Sequence, residues 1–244
     1  MDRNFLNLTE KQKDQPIFRV ISTARLFELF NNRQNVLVKP KLWEDPFENF
    51  MMNSTGELED GQVFSIAFRE HFYGQCWTRT RESDAMWRIY SHDITGVRIA
   101  TTPRKLLTAL YNSAGKFRDI NCFIGKVNYY TTTKLKTLLQ SHASGWIADA
   151  TGAGQAQTLL FKRTPFKHEN EVRIIYNSQG EVTEDIFPFP IDPLNLIDDI
   201  VFDPRMEYKT FSEHKKRLKA IGFRKRIVKS NLYKAPNLKF TFDR

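Results

Sequence analysis

Glu169, Glu171 and Arg173 stand at alternating positions near the end of the run LLFKRTPFKHENEVRIIY, Leu159 to Tyr176, and their types and spacing suit chemistry. From Glu169 onward the run alternates as a β-strand does, with Val172, Ile174 and Tyr176 on the opposite face. Successive residues on one strand face sit about 7 Å apart, so both carboxylates reach one small ligand. Two neighbouring acids repel each other and lose hydration beside apolar side chains, a cost that a cation or a substrate offsets. The plainer reading is a solvent-facing strand whose Glu and Arg residues make cross-strand ion pairs.

Composition narrows the setting. The 244 residues are 41% hydrophobic and include 20 Phe, 4 Trp and 8 Tyr, enough to bury a core and favouring mixed α/β structure over disorder. Thirty-seven Lys and Arg against 28 Asp and Glu leave a net charge of +9, which suits a polyanionic partner, nucleic acid before a membrane surface. Cys76 and Cys122 are too few for a disulfide scaffold and lack the paired spacing of a zinc site, so a reducing compartment is expected. The N-terminus has no apolar core and no run approaches about 18 apolar residues, so the expectation is a soluble cytoplasmic protein with no signal peptide or membrane span.

The elements that must position these residues follow from periodicity. Residues 1–15 read as a loose polar arm, and residues 16–244 as one domain. The run Ile17 to Ile21 is a short strand carrying Arg19 among apolar neighbours. Ser22 or Thr23 then caps a helix whose Leu26, Phe27, Leu29 and Phe30 form a core-facing stripe. Val36 to Val38 is a second strand, followed by the turn Leu42 to Glu48, and Val63 to Phe68 is strand or the start of a helix. Gly74 to Thr78 reads as a buried strand, and a helix from Ser83 follows with Met86, Trp87 and Tyr90. Further strands are expected at 96–101, 126–130, 186–191, 197–202 and 238–242, and helices from Pro103, over 134–141 and over 209–220. The small-residue stretch from Ala143 to Gln157 reads as mobile, and its glycines complete no phosphate-binding fingerprint. The fold class is α/β of the α+β type.

Several chemistries find no residues. No G-x-S-x-G elbow or H-E-x-x-H pair is present, and the five His are scattered singly. A metal-dependent nuclease remains an alternative through Glu207-Tyr208-Lys209 with Asp198, Asp199 and Asp203 upstream, although that E-x-K begins a helix; a non-catalytic binder with ion-paired Glu169 and Glu171 is another.

The ordered set IFRVIS, LWEDPFE, GQCWT, ESDAMWRIYS, GVRIATT and FKRTPFKHENEVRI resembles an uncharacterised bacterial family marked by a W-x-D-P-F-E turn and an F-x-x-E-x-E-x-R strand, over residues 17–205. An arginine on the first strand and an E-x-E on a later one also resemble ADP-ribosyltransferase toxins that modify nucleic acid, the CmdT-like phage-defence toxins among them. That resemblance implies a split, mostly antiparallel sheet with flanking helices, NAD as substrate and no metal. It implies transfer of ADP-ribose to nucleic acid, RNA ahead of DNA, by a toxin restrained by an antitoxin protein. Arg19 would hold the pyrophosphate or ribose, Glu171 would be the catalytic acid and Glu169 would orient the acceptor. Ser22, Trp77, Trp87 and Tyr90 join Arg19 as the NAD-binding set. Arg79, Arg81, Arg163, Arg224, Lys225 and Arg226 would track a phosphate backbone, with Lys215, Lys216 and Arg217 extending the basic run. A clear Ser/Thr-x-Ser element of such enzymes is missing from the chain.

Overall fold

The computed structural model describes residues 1–43, 54–57, 60–65 and 70–241. The first strands and helices are β1 (Phe5–Leu6), α1 (Glu10–Lys13), β2 (Ile17–Ser22), α2 (Thr23–Asn32) and β3 (Gln34–Val38). The hairpin β4 (Thr55–Glu57) and β5 (Val63–Ser65) precedes β6 (Phe72–Thr78), α3 (Asp84–Tyr90), β7 (Gly96–Thr101), α4 (Pro103–Ser113) and α5 (Arg118–Asn121). Then come β8 (Cys122–Lys126), β9 (Asn128–Tyr130), α6 (Thr132–Ile147), α7 (Ala153–Thr158), β10 (Phe161–Arg163) and β11 (Glu171–Asn177). The chain continues through β12 (Ile186–Pro190), α8 (Pro193–Leu196), β13 (Asp199–Phe202), α9 (Tyr208–Ala220) and β14 (Arg226–Lys229).

Local signals place most of these boundaries. Ser22, Ser83 and Thr102 each accept a hydrogen bond from the backbone N–H three residues on, satisfying a donor that the helix start leaves open. The stripe Leu26, Phe27, Leu29 and Phe30 is buried, and α2 ends at Arg33, whose left-handed backbone (φ 52°) breaks the helix.

The main sheet runs β1-β8-β11-β6-β2-β7-β13-β14, with β12 and β3 branching from β6. Among the described residues only β1 on β8 and β13 on β14 are parallel within it, so the expected mostly antiparallel sheet is observed. Alternation along β6, β8 and β11 feeds two cores. Val172, Ile174, Tyr73 and Trp77 join Leu26, Phe30, Leu106 and Leu218 on one face, while Phe72, Phe123 and Ile175 meet Leu159, Leu160 and Ala156 on the other. Each such side chain contributes about 1.5–3 kcal/mol by leaving water.

The split that matters lies beside β6. Near its start Gly74 pairs with Val38 of β3, and at its end Thr78 pairs with Phe18 of β2. Among the described residues no ladder joins Gln75, Cys76 or Trp77 to a strand on that side, so β2 and β3 diverge and leave a fork about 13 Å long. The Gln75 amide fills the missing ladder. Its Nε2 donates to Asn35 Oδ1 (2.9 Å) and Val36 O (2.8 Å), while its Oε1 accepts from Trp77 Nε1 (2.8 Å).

Several expectations are corrected. Residues 1–15 are docked and not a loose arm: Phe5 is buried, β1 extends the sheet, and Asn4 Nδ2 donates to Cys122 O at 2.6 Å. The stretch 143–157 is mostly helical, in the end of α6 and in α7, because Ala156 packs into the smaller core and Gly152 takes the left-handed turn (φ 75°) against Ile120. Residues 238–241 alternate as a strand would, yet lie exposed and outside any strand, because no sheet edge meets them. Glu169 does not belong to the strand. It closes a 3-10 turn over Thr164–Glu169, and Asn170 turns left-handed (φ 46°) before β11 begins at Glu171. Of the turn Leu42 to Glu48, Glu44 to Glu48 lie outside the described residues, as does the end of the run Val63 to Phe68.

Candidate active site

A cleft of about 350 Å³ occupies the fork, lined by β2 (Phe18, Arg19, Val20), β6 (Gly74 to Thr78), Val36, Trp43, Met86, Tyr90, Lys162, Phe166, Glu169 and Glu171. Its size falls in the range of small-molecule sites. Because it cuts between strands, residues of both faces reach it. By register Thr78, Phe18 and Glu171 share one rung and one face, while Arg19 belongs to the opposite face with Ile17 and Ile21. Arg19 and Glu171 thus line one cleft from different sides of the sheet.

The strand carrying Glu171 and Arg173 is buried throughout, which removes the plainer reading of a solvent-facing pair. Glu171 is 5% exposed, Arg173 0% and Lys162, on β10, 4%. Lys162 Nζ donates to Glu171 Oε1 (2.7 Å) and also to Glu169 Oε2, and Arg173 Nε donates to Glu171 Oε2 (2.7 Å). Arg173 is held by Leu159 O (2.8 Å) and its guanidinium lies over the Trp43 ring, 4.5 Å from the centroid. The Glu171 N–H donates to the Tyr129 hydroxyl at 2.9 Å, and Thr78 Oγ1 donates to Glu169 O at 2.5 Å. Backbone and side chains together fix the Glu169–Glu171 turn.

Electrostatics divide the two acids. Burial works against ionisation of Glu171, but the Arg173 charge, the hydrogen bond with Glu169 and the Lys162 ammonium outweigh it and hold the carboxyl well below the usual range. Glu169 is pushed up to about 8, by burial first, then by its hydrogen bond with Glu171 and the Glu171 charge, with Lys162 opposing them. Near neutral pH the pair therefore holds one anion and one carboxylic acid. Burial, followed by the two glutamates, raises the Tyr90 phenol, and Tyr129 is raised by burial and Glu171. Arg19, half-buried, is pushed down to about 10 by burial and stays charged. Among the described residues no carboxylate forms a salt bridge with it.

The other expected site residues separate. Trp77 and Tyr90 line the cleft, Trp77 buried and Tyr90 exposed. Trp87 does not: it is 1% exposed, its Nε1 donates to Glu82 Oε1 (2.9 Å), and it is a core residue, because α3 turns it inward beside Met86. Ser22 caps α2 and is absent from the cleft lining. Arg79 follows Thr78 directly and its N–H donates to Asn170 O (2.9 Å), so it stands beside the glutamates with Arg81 two residues on. Arg163 neighbours Lys162 and lies over Phe166. Arg224, Lys225 and Arg226 lie at the far edge of the sheet. Lys225 Nζ donates to Ile197 O (2.7 Å) and Asp198 Oδ1 (3.1 Å), Arg226 pairs with Asp199 (2.9 Å), and Arg224 holds Lys219 O. The basic stretch on α9 is largely a solvated face, with Arg217 over the Phe27 ring. Lys162 was not among the expected residues, because a lysine in a three-residue strand carries no local mark of burial.

The acids of the nuclease alternative are spent elsewhere. Asp198 pairs with Lys105 and Lys225, Asp199 with Arg98 and Arg226, and Asp203 with Arg205 and Ser91. Among the described residues no group of three or more His, Cys, Asp or Glu is arranged to hold a metal ion. No helix among them is long and apolar enough to cross a membrane.

Residues 86–174 match the model of a family described as a protein of unknown function, DUF2971. That match contains the F-x-x-E-x-E-x-R run and is shorter than the expected 17–205, leaving the W-x-D-P-F-E turn outside it. Among solved structures the chain is similar to Thermus sp. 2.9 DarT in complex with NAD+, at 12% identity and a TM-score of 0.41 over 89% of this chain and 96% of that one. It is similar as well to the same protein in complex with ADP-ribosylated ssDNA, at 10% identity and a TM-score of 0.41 over 91% and 96%. The complex with carba-NAD+ gives 13% and 0.39 over 91% and 97%. No curated protein matches the sequence. Chains this far apart share an outline, and activity has to be read from the cleft itself.

Proposed function

We propose that this chain is an NAD-dependent mono-ADP-ribosyltransferase that acts on nucleic acid. The observation that carries the reading is a buried anionic carboxylate, Glu171, lining the same cleft as Arg19, a charged guanidinium without a salt-bridged acid among the described residues. A half-buried arginine in that state suits an anionic group of a ligand, and the pyrophosphate of NAD is one. Trp43, Tyr90 and Phe166 supply flat apolar surface for a ring, and the cleft is of nucleoside size.

Each residue has a distinct task. Arg19 binds the pyrophosphate. Glu171 accepts a hydrogen bond from the ribose next to nicotinamide and stabilises positive charge as the C1′–N bond to nicotinamide breaks, the bonding pair leaving with nicotinamide. Glu169 orients the acceptor and takes its proton as the new bond to C1′ forms, which requires its carboxylate form. Arg79 and Arg163, next in chain to the lining residues Thr78 and Lys162, and Arg81 two positions beyond Arg79, contact acceptor phosphates, and the net charge of +9 supports a polyanion. The Arg224 to Arg226 cluster lies at the far edge of the sheet, with Lys225 and Arg226 paired to Asp198 and Asp199, and is not needed for the reading. The expected preference for RNA over DNA finds no support in the geometry, so both belong in the assay. An enzyme that modifies its own cell's nucleic acid needs restraint, and we place it as a cytoplasmic toxin with an antitoxin protein, acting in defence against phage.

The test is incubation with labelled NAD and single-stranded RNA or DNA, then with a cell lysate digested separately with nuclease and protease. Label that is nuclease-sensitive, with nicotinamide release, is the expected result. Absence of NAD binding and of nicotinamide release with every acceptor overturns the reading, and protease-sensitive label replaces the acceptor class.

A further inference from the structure

The buried ammonium between the two acids has a function that a salt bridge alone does not. We propose that Lys162 is the positioning residue of the cleft: it bridges Glu169 and Glu171, keeps Glu171 as the anion beside the sugar, and holds Glu169 aimed to receive the acceptor's proton. The inference rests on the transferase reading for its consequence, though not for its geometry.

Lys162 comes from β10, outside the main sheet, where its backbone is in register with Tyr129 of β9. It is therefore delivered to the glutamates from outside their strand, by the short sheet whose Tyr129 also accepts from the Glu171 N–H. Its ammonium donates to both carboxylates and lies over the ring of Phe166, 4.7 Å from the centroid, in the same turn that ends at Glu169. Two carboxylates this close cannot both stay ionised without a cation, because each charge opposes the other's ionisation. With Lys162 in place they face one donor and stay apart in role. Arg173 meets Glu171 from the other side, its Nε donating to the other carboxylate oxygen and its NH1 to Leu159 O.

The charged and titratable groups packed around Glu169 are Lys162, Glu171, Tyr90 and Tyr129, with Arg173 behind Glu171 and with Arg19 and Cys76 lining the cleft. Of these, Lys162 opposes the two influences that keep Glu169 protonated. Its ammonium thereby sets the pH at which Glu169 becomes competent as a base, which makes transfer a pH-gated step.

The experiment follows the carboxyl carbons of ¹³C-glutamate by NMR against pH in the wild-type chain, Lys162→Met and Lys162→Arg, with Glu169→Gln identifying the Glu169 signal. Lys162→Met is expected to move the Glu169 midpoint up by about 1–3 pH units, the range an adjacent opposite charge commands, and Lys162→Arg to restore most of it. The pH limb of ADP-ribose transfer should move by the same amount. A Glu169 midpoint unmoved in Lys162→Met overturns the proposal. Where Lys162→Met fails to fold, the Lys162 ¹⁵Nζ signal of the wild type decides: it must titrate with the Glu169 midpoint and lose that inflection in Glu169→Gln, and a flat profile overturns the proposal. A wild-type chain that releases no nicotinamide removes the transferase reading, while the NMR titration still decides the role of Lys162.

Discussion

Replacing Glu171 with Gln perturbs structure and chemistry together, and the two effects are separable. The carboxylate accepts from Lys162 through one oxygen and from Arg173 through the other, both at 2.7 Å and both buried. An amide offers one acceptor where the carboxylate offered two, so its NH2 must face either the ammonium or the guanidinium. Removing one partner of a buried ion pair costs about 3–5 kcal/mol, and at about 2–4 °C per kcal/mol for a chain of this size the melting temperature should fall by about 6–20 °C. The loss depends on pH with a definite sign. Glu171 is held below its ordinary value of 4.5 in the folded chain, so its stabilisation is present above that value and fades as the pH falls through and below it. The melting difference between wild type and Glu171→Gln should therefore shrink on acidification. In the folded fraction at neutral pH, transfer should drop at least about 10²-fold, the effect of losing one electrostatic contact to the transition state, while NAD still binds. Calorimetry at several pH values, NAD titration and nicotinamide release measure all three. A variant that melts with the wild type and transfers at full rate refutes both the ion-pair geometry and the proposed chemistry.

Other outcomes are as direct. Transfer should rise with pH around the Glu169 midpoint of about 8, and Glu169→Gln should abolish that rise while leaving slow NAD hydrolysis; a wild-type profile that is flat from 6 to 9 contradicts its role as base. Because Glu169 holds its proton more tightly folded than unfolded, its contribution to stability should decline as pH climbs from 4.5 to about 8 and level off above, visible as a difference in melting against Glu169→Gln. Arg19→Ala should weaken NAD binding about 10- to 150-fold, the worth of a charge-assisted hydrogen bond, and unchanged affinity by titration calorimetry refutes the pyrophosphate assignment. Trp87→Ala should cost about 3–5 kcal/mol as a core truncation while the folded fraction keeps its KM for NAD; a raised KM with intact stability would return Trp87 to the ligand site.

What the sequence determined by itself was local. The cap at Ser22, the helix starts at Ser83 and Pro103, the apolar stripe of α2 and the alternation of β11 depend on neighbours within a few residues, and the structure keeps each of them. The pairing of Glu171 with Arg173 on one strand face was legible for the same reason, since alternation dictates it. Whether that face met water or protein was not, because burial of a strand face is decided by what the rest of the chain lays over it, here α7 and the Leu159 backbone. Alternation likewise misled at Glu169, where the left-handed Asn170 ends the strand, and at 238–241, where a strand-like pattern finds no edge to pair with. The fork beside β6 was beyond sequence reading, since it arises from the single pairings of Thr78 with Phe18 and Gly74 with Val38, contacts between residues 36 to 60 positions apart. Lys162 was beyond it as well: a lysine in a three-residue strand carries no mark of burial, and only the parallel pairing of β10 with β9 brings its ammonium between two acids that would otherwise repel.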